Sequence, residues 1–92
     1  MSYKEQTYFT KMLENARKKV VVGGRYIHSK SGGEYILTDL VIIEDVEAVG
    51  VVYQAVYGER LKWLRPIDNF TGMVEIDGVR RARFELVEKG AK

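Results

Sequence analysis

The sequence predicts a mainly β domain, α+β by content, in which one amphipathic N-terminal helix precedes a small SH3-like antiparallel β-barrel or roll of about six strands. Three observations lead to this fold class. A chain of 92 residues is long enough for one modest core. Apolar residues follow helical spacing only near the N-terminus, and the remainder consists of short β-rich runs between turn signals. We therefore expect a single domain over residues 1–92, with the helix at 3–19 and the roll at 24–87.

The first predicted element is an amphipathic helix. Its apolar positions recur at steps of three and four residues, which places them on one helical face: Tyr8, Phe9, Met12, Leu13 and Ala16. Ser2 and Glu5 have the spacing of a capping box at its start. Gly23 and Gly24 interrupt the pattern at its end. The apolar face could pack on the roll or on a second copy of the chain.

The rest of the chain divides into short β-rich runs that turn residues separate. These predicted strands cover residues 25–28, 34–43, 51–57, 61–64, 73–76 and 79–87, and residues 20–22 could begin another. Asp77 and Gly78 are the strongest turn signal, because this pair suits the two-residue type I′ loop of a hairpin. Pro66 has no N–H for a sheet ladder, so pairing should stop there and residues 67–70 should form a corner or single turn.

Composition limits the classes of function. The chain has no cysteine and one histidine, which excludes disulfides, thiol catalysis and thiolate metal sites, and we predict no metal. A formal charge of +2 is far below that of a dedicated duplex-DNA binder. No apolar run approaches the ~18 residues of a membrane span, and the N-terminus lacks the apolar core of a signal peptide. We therefore expect a cytoplasmic protein with no membrane role.

Several short motifs occur in an order and spacing that resemble one known family. They are residues 24–28 (GRYIH), 33–35 (GEY), 52–58 (VYQAVYG), 63–66 (WLRP) with Phe70, and 74–78 (VEIDG) with 83–84 (RF). Over residues 24–84 the chain resembles the bacterial and phage family called domain of unknown function 1653. This resemblance implies an SH3-like β-roll and no particular reaction. It also places the expected cytoplasm in a bacterium or a phage-infected host cell.

Aromatic and basic residues on or beside the predicted strands are the candidate ligand-binding residues. They are Tyr26, His28, Lys30, Tyr53, Tyr57, Trp63 and Arg65. Tyr and Trp offer flat faces for stacking, and Arg offers a rigid fork of donors for planar or anionic groups. The plainer alternative for the aromatic residues is core or cross-strand packing. Tyr53 and Tyr57 would share one face of a regular strand, and burial of that face would make them core.

Each polar candidate also has a structural alternative. Arg65 could be held for a bidentate contact with phosphate or carboxylate, or it could form a salt bridge with Asp68 or Glu59. His28 could contact a ligand or fill a structural role, and catalysis would need a nucleophile and an oxyanion or metal site that no spacing reveals. The Gly-rich residues 30–33 could bind an anion through backbone N–H groups, although a hairpin turn is the commoner use.

These residues favour a non-enzymatic binding protein that needs no cofactor. Its predicted ligand is small, anionic and planar, of the nucleotide class, and its role could be that of a phage-encoded protein that sequesters cyclic-nucleotide signals. The alternative is an SH3-like module that binds nucleic acid or protein. For that module Arg80, Arg81 and Arg83 could supply phosphate contacts, or they could be only a charged sheet edge. A homo-oligomer is a reasonable expectation for so short a chain.

Overall fold

The computed structural model describes residues 3–90, with side chains from Gln6 onward. Its elements in chain order are α1 (Tyr3–Ala16), β1 (Arg25–His28), β2 (Glu34–Ile43), a 3-10 turn (Glu44–Val46), β3 (Ala48–Ala55), β4 (Lys62–Pro66), α2 (Ile67–Phe70), β5 (Met73–Ile76), β6 (Val79–Ala82) and β7 (Phe84–Glu88). Strands dominate and one long helix precedes them within this range, which confirms the predicted β-rich α+β fold. The predicted capping box, Ser2 with the side chain of Glu5, lies outside the described residues.

The strands form one five-stranded antiparallel sheet and a separate hairpin. The order in the large sheet is β4-β3-β2-β1-β7, and β5 pairs with β6. Strands β4 and β7 therefore lie at opposite edges, so over the described residues the sheet is an open roll and its hydrogen bonds do not close a barrel.

Several boundaries differ from the sequence prediction. Strand β3 covers residues 48–55 instead of 51–57, and β4 covers residues 62–66 instead of 61–64. The predicted last strand is divided at Arg83, because residues before it pair with β5 while residues after it pair with β1. The Arg83 N–H donates to the Gly72 carbonyl, and its carbonyl accepts from the Ser29 N–H, so the chain changes partner at this residue. The helix ends at Ala16 instead of residue 19, and residues 20–22 form an irregular bend that leads into a turn, not a strand.

One face of the large sheet carries the hydrophobic core. The buried residues that form it are Ala16, Val20, Tyr26, Leu37, Leu40, Val49, Val51, Tyr53, Ile67, Phe70 and Phe84. Helix α1 packs its apolar face on this inner face, since Phe9 and Ala16 are buried and Met12 and Leu13 contact the core. The first of the two predicted uses of that helix face, packing on its own sheet, is the one observed.

The strand register decides which side chains meet at the end of the inner face that α1 leaves uncovered. Residues directly opposite each other in an antiparallel pair point to the same face. Tyr53 lies opposite Trp63, and Val51 lies opposite Arg65. His28 lies opposite Phe84 in the same sheet. Aromatic and basic side chains from distant parts of the sequence are thereby brought to one end of the roll.

Candidate ligand-binding site

Every strand of the large sheet contributes to a concavity of about 200 Å³ on the inner face. Its lining residues are His28, Ser31, Tyr35, Tyr53, Trp63, Arg65 and Phe84. Four of the seven sequence-predicted site residues are in this set: His28, Tyr53, Trp63 and Arg65. The walls are mainly aromatic, and none of the lining residues is acidic. Such a surface suits a ligand with a planar part and a negative charge.

Arg65 is the most constrained cation in the concavity. Its Nε donates to the hydroxyl of Tyr53 at 3.1 Å, its Nη1 donates to the Asn69 side-chain oxygen, and its Cζ lies 5.3 Å from the centre of the Phe84 ring. The predicted alternative, a salt bridge to Asp68 or Glu59, does not form, since the ion pair found among the side chains of residues 6–90 joins Arg25 and Glu34. The guanidinium is therefore oriented by neutral groups, and its positive charge is left without a carboxylate.

Tyr53 belongs both to the core and to the concavity. Only 5% of it is exposed, and its ring has edge or tilted contacts with Tyr35, Phe70 and Phe84. Its hydroxyl accepts the hydrogen bond from Arg65. The core-packing interpretation is therefore correct for the ring of Tyr53, while its hydroxyl orients the Arg65 guanidinium.

Tyr26 does not line the concavity. It is buried, its ring meets Phe70 edge-on at 5.2 Å, and its hydroxyl accepts from the N–H of Val21. Burial raises the pKa of the Tyr26 hydroxyl. This candidate is therefore a core residue that also satisfies a backbone donor in the turn after α1.

One ring nitrogen of His28 is hydrogen-bonded within the turn between β1 and β2. Nδ1 accepts from the Ser31 N–H at 3.3 Å and lies 3.0 Å from the Ser31 hydroxyl, so we assign the neutral tautomer with the proton on Nε2. The ring packs edge-on against Phe84 at 4.9 Å. Burial, followed by the charges of Arg65, Arg83 and Lys30, lowers the pKa of His28. At pH 7 the residue is a neutral donor through Nε2.

The lowered pKa of His28 predicts a pH dependence of stability. Its ordinary pKa of 6.5 applies to the unfolded chain, so below that pH the unfolded state binds more protons than the folded state, and stability falls. We expect His28→Gln to remove this contribution. Urea unfolding of both proteins between pH 7.5 and 5 should show wild type losing stability relative to the variant as the pH falls. A difference between the two proteins that does not change with pH would contradict the assignment.

The β1–β2 turn does not form an anion-binding nest. The N–H of Gly32 donates to the His28 carbonyl at 2.7 Å, and the N–H of Gly33 donates to the Ser31 hydroxyl at 3.2 Å. These donors are used within the turn, so the hairpin alternative describes this segment. Lys30 is exposed on the same turn and affects the site through its charge on His28.

Tyr57 does not line the concavity, but its hydroxyl is hydrogen-bonded to that of the lining residue Tyr35. It is 52% exposed, and its hydroxyl lies 3.0 Å from that of Tyr35. This hydrogen bond, with burial, raises the pKa of Tyr35 to about 12, so the Tyr35 phenol is protonated at neutral pH. A shallower depression of about 420 Å³ adjoins the concavity and shares Ser31 with it. Its lining residues are Arg25, Ser31, Gly32, Gly33, Glu34, Val56 and Tyr57.

The sequence analysis missed Tyr35, Phe84 and Ser31 as lining residues, and Asn69 as a partner of Arg65. Tyr35 and Phe84 belong to the motifs that resemble the family, and this membership was the sequence signal that could have identified them. No local signal identifies Asn69, because an asparagine in a short turn is equally well explained by the turn itself.

Comparison with known proteins gives the family. The model of the family described as protein of unknown function (DUF1653) matches residues 24–86, more than half of the chain. The chain belongs to this family. A crystal structure of a DUF1653 protein from Bordetella bronchiseptica is similar in fold, with a TM-score of 0.65 and 24% sequence identity over 76% of this chain and 91% of that one. No match was found among curated proteins. The family resemblance seen in the sequence is thus confirmed.

Within residues 6–90, whose side chains the structure describes, no three His, Asp or Glu side chains come together as a metal site would require. In the same range, none of the helices has the length and apolar character needed to cross a bilayer.

Proposed function

We propose that the chain is a non-enzymatic, cytosolic binding protein for a small ligand that combines an anionic group with a planar ring, as a nucleotide does. The observation that carries this proposal is the state of Arg65. Its guanidinium is oriented by Tyr53, Asn69 and Phe84, and no carboxylate neutralises it among the described residues. A fixed, unpaired cation next to aromatic walls suits an anionic ligand that also stacks.

The donors available to an anion lie close together. A guanidinium has five N–H groups, and Arg65 gives one to Tyr53 and one to Asn69, which leaves three. The Nε2–H of His28 has no hydrogen-bond partner among residues 6–90 and belongs to the same concavity. Neither residue has to be reoriented or deprotonated before an anion binds, so little ordering cost opposes binding.

The planar part of the ligand is matched by Trp63. This side chain is 50% exposed at the rim of the concavity, and an exposed indole offers a stacking face. A volume of about 200 Å³ is below that of most drug-sized ligand pockets, so it takes one ring or one anionic group. The rest of a mononucleotide would extend over the neighbouring depression beside Tyr57. Sequestration of a nucleotide signal is one role that such binding would serve.

The contact between His28 and Ser31 supports binding over hydrolysis. A catalytic Ser–His pair needs a group that orients the base and donors for an oxyanion. Here Nδ1 faces the serine, while Nε2 has no carboxylate partner in the described part of the chain. The Ser31 hydroxyl also accepts from the Gly33 N–H, as expected of a turn residue.

A calorimetric titration with AMP, cyclic AMP and adenosine tests the proposal. We expect saturable binding of the nucleotides, and a ligand at 100 times its Kd should add ~2.7 kcal/mol to the free energy of unfolding. Trp63→Leu should weaken binding by about 1 to 3 kcal/mol, the usual worth of base stacking.

Leu61→Ala is the matched control, since Leu61 is also an exposed apolar residue (53%) but does not line the concavity. Its affinity should equal that of wild type. If no nucleotide binds, or if Trp63→Leu and Leu61→Ala behave alike, the proposed site is not a nucleotide site.

A further inference from the structure

We propose that the anionic group bound here is a phosphate monoester dianion, held between Arg65 and Arg83, with Asn69 as the residue that positions both guanidinium groups. This inference rests on the proposed function and specifies the charge and shape of its anion. It adds Arg83 and Asn69, neither of which lines the concavity, to the residues that determine binding.

Asn69 accepts hydrogen bonds from both arginines. Its side-chain oxygen accepts from Nη1 of Arg65, and its backbone carbonyl accepts from Nε of Arg83 at 3.1 Å. Both guanidinium groups therefore contact one residue, although Arg65 lies on the edge strand β4 and Arg83 lies just before β7, the strand at the opposite edge. The lowered pKa of His28, to which both arginines contribute, agrees with two positive charges near the concavity.

In the described part of the chain, the positive charges of Arg65 and Arg83 are not balanced by neighbouring carboxylates. Like charges near one another repel, and buried or half-buried cations are normally paired with carboxylates. Among the side chains of residues 6–90 neither Arg65 nor Arg83 forms an ion pair, and Asp68, the acid next to Asn69 in sequence, does not pair with either of them. A dianion between the two groups would remove the repulsion and add charge-assisted hydrogen bonds.

The residues that hold the pair are rigid. Ile67 and Phe70 anchor α2 in the core, and the Thr71 hydroxyl donates to the Ile67 carbonyl at 2.8 Å. The backbone of Arg83 is fixed on both sides by bonds to Gly72 and Ser29. Because the backbone is fixed at both arginines, the spacing of their N–H donors is preorganised for ligand binding.

The chemistry of the pair selects among anions. A phosphate monoester carries a charge of about −1.5 to −2 at pH 7 and three terminal oxygens, which two forked donors can share. A cyclic phosphodiester carries one charge and has two terminal oxygens. The pair should therefore prefer AMP over cyclic AMP, and both over adenosine.

Calorimetry with these three compounds and inorganic phosphate at pH 7.5 tests the inference. For the wild-type chain we expect AMP to bind roughly 10-fold more tightly than cyclic AMP. Arg83→Gln should abolish this preference by weakening AMP while leaving cyclic AMP within about threefold. Arg80→Gln is the matched control, because it removes the same charge from an exposed position on β6 and should keep the preference.

Asn69→Ala should lower the preference for AMP, because the two guanidinium groups lose their common partner. Asn69→Asp should lower it further, because the new carboxylate pairs with Arg65 and competes with phosphate. A simple loss of stability would weaken all the nucleotides equally, whereas a positioning role changes the ratio of AMP to cyclic AMP affinity. Arg83→Lys, which keeps the charge, provides a second variant if Arg83→Gln fails to fold.

The outcomes separate this inference from the proposed function. Equal binding of AMP and cyclic AMP, with Arg83→Gln like Arg80→Gln, overturns the arginine pair and leaves the nucleotide site. Inorganic phosphate binding that depends on Arg83, without any contribution from adenosine, supports the pair and contradicts the planar part of the proposed function. Failure of every probe overturns both.

Discussion

Replacing Phe84 by alanine is expected to destabilise the protein by about 3 to 5 kcal/mol, the usual cost of removing a buried aromatic ring. Phe84 is 6% exposed and stacks on Phe70 with ring centres 4.2 Å apart. Its ring also contacts Tyr53, and the guanidinium of Arg65 lies over it in a cation–π contact. Because small domains have only ~5 to 15 kcal/mol of stability, much of the folded population should be lost. Urea unfolding followed by circular dichroism measures the effect.

Leu86→Ala is the control for this prediction, because Leu86 lies on the same strand but is 38% exposed. Its cost should be well below that of Phe84→Ala, in proportion to the smaller apolar area it buries. Equal destabilisation by the two substitutions would mean that Phe84 is not the aromatic centre of the core.

Replacing Arg65 by glutamine should cause the largest loss of ligand affinity. If Arg65 gives two charge-assisted hydrogen bonds to the anion, each worth about 1.5 kcal/mol, their loss weakens binding roughly 150-fold. Arg65→Lys should recover only part of this, because an ammonium keeps the charge but not the planar fork. Isothermal titration with AMP provides the affinities.

Lys62→Gln is the matched control for Arg65→Gln. Lys62 is exposed on the same strand and lies opposite Gln54, so its side chain points to the outer face of the sheet. Both variants lose one positive charge, and only the loss at Arg65 should affect AMP. If the two variants bind AMP with the same affinity, the site depends on net charge alone and not on the oriented guanidinium.

The local elements of this fold can be predicted from sequence because their signals are local. Asp77 and Gly78 both adopt positive φ, at 52° and 78°, as the predicted type I′ loop requires. Pro66 ends β4, and the single turn Ile67–Phe70 follows it as expected. In each case a few neighbouring side chains restrict the backbone, so no distant contact is needed to specify it.

The order of strands in the sheet was beyond sequence analysis. Strand β7 pairs with β1, which is more than fifty positions earlier, and the change of partner at Arg83 depends on bonds to Gly72 and Ser29. Such pairings depend on packing across the whole sheet and leave no periodic pattern in the residues near Arg83. The same reason explains why the predicted last strand was too long.

The kinds of side chain in the candidate site could be predicted from the sequence, but not all of the residues that form it. Trp63 and Arg65 could be selected because aromatic and guanidinium groups suit planar anions wherever they are exposed. Tyr35 and Phe84 become lining residues only through the register of β1 with β2 and β7. Asn69 contacts Arg65 and Arg83 only because the roll brings α2 beside two arginines that are distant from each other in sequence.

The central claim is that the inner face of the roll binds an anionic planar ligand through Arg65. The most direct test is a titration of isotope-labelled protein with AMP, followed by NMR of side-chain N–H groups. We predict that the Nε–H of Arg65, the indole N–H of Trp63 and the ring signals of His28 shift together with a single Kd, while the Nε–H of Arg80 does not move. Saturable shifts confined to other residues, or no shift at millimolar AMP, would contradict the account.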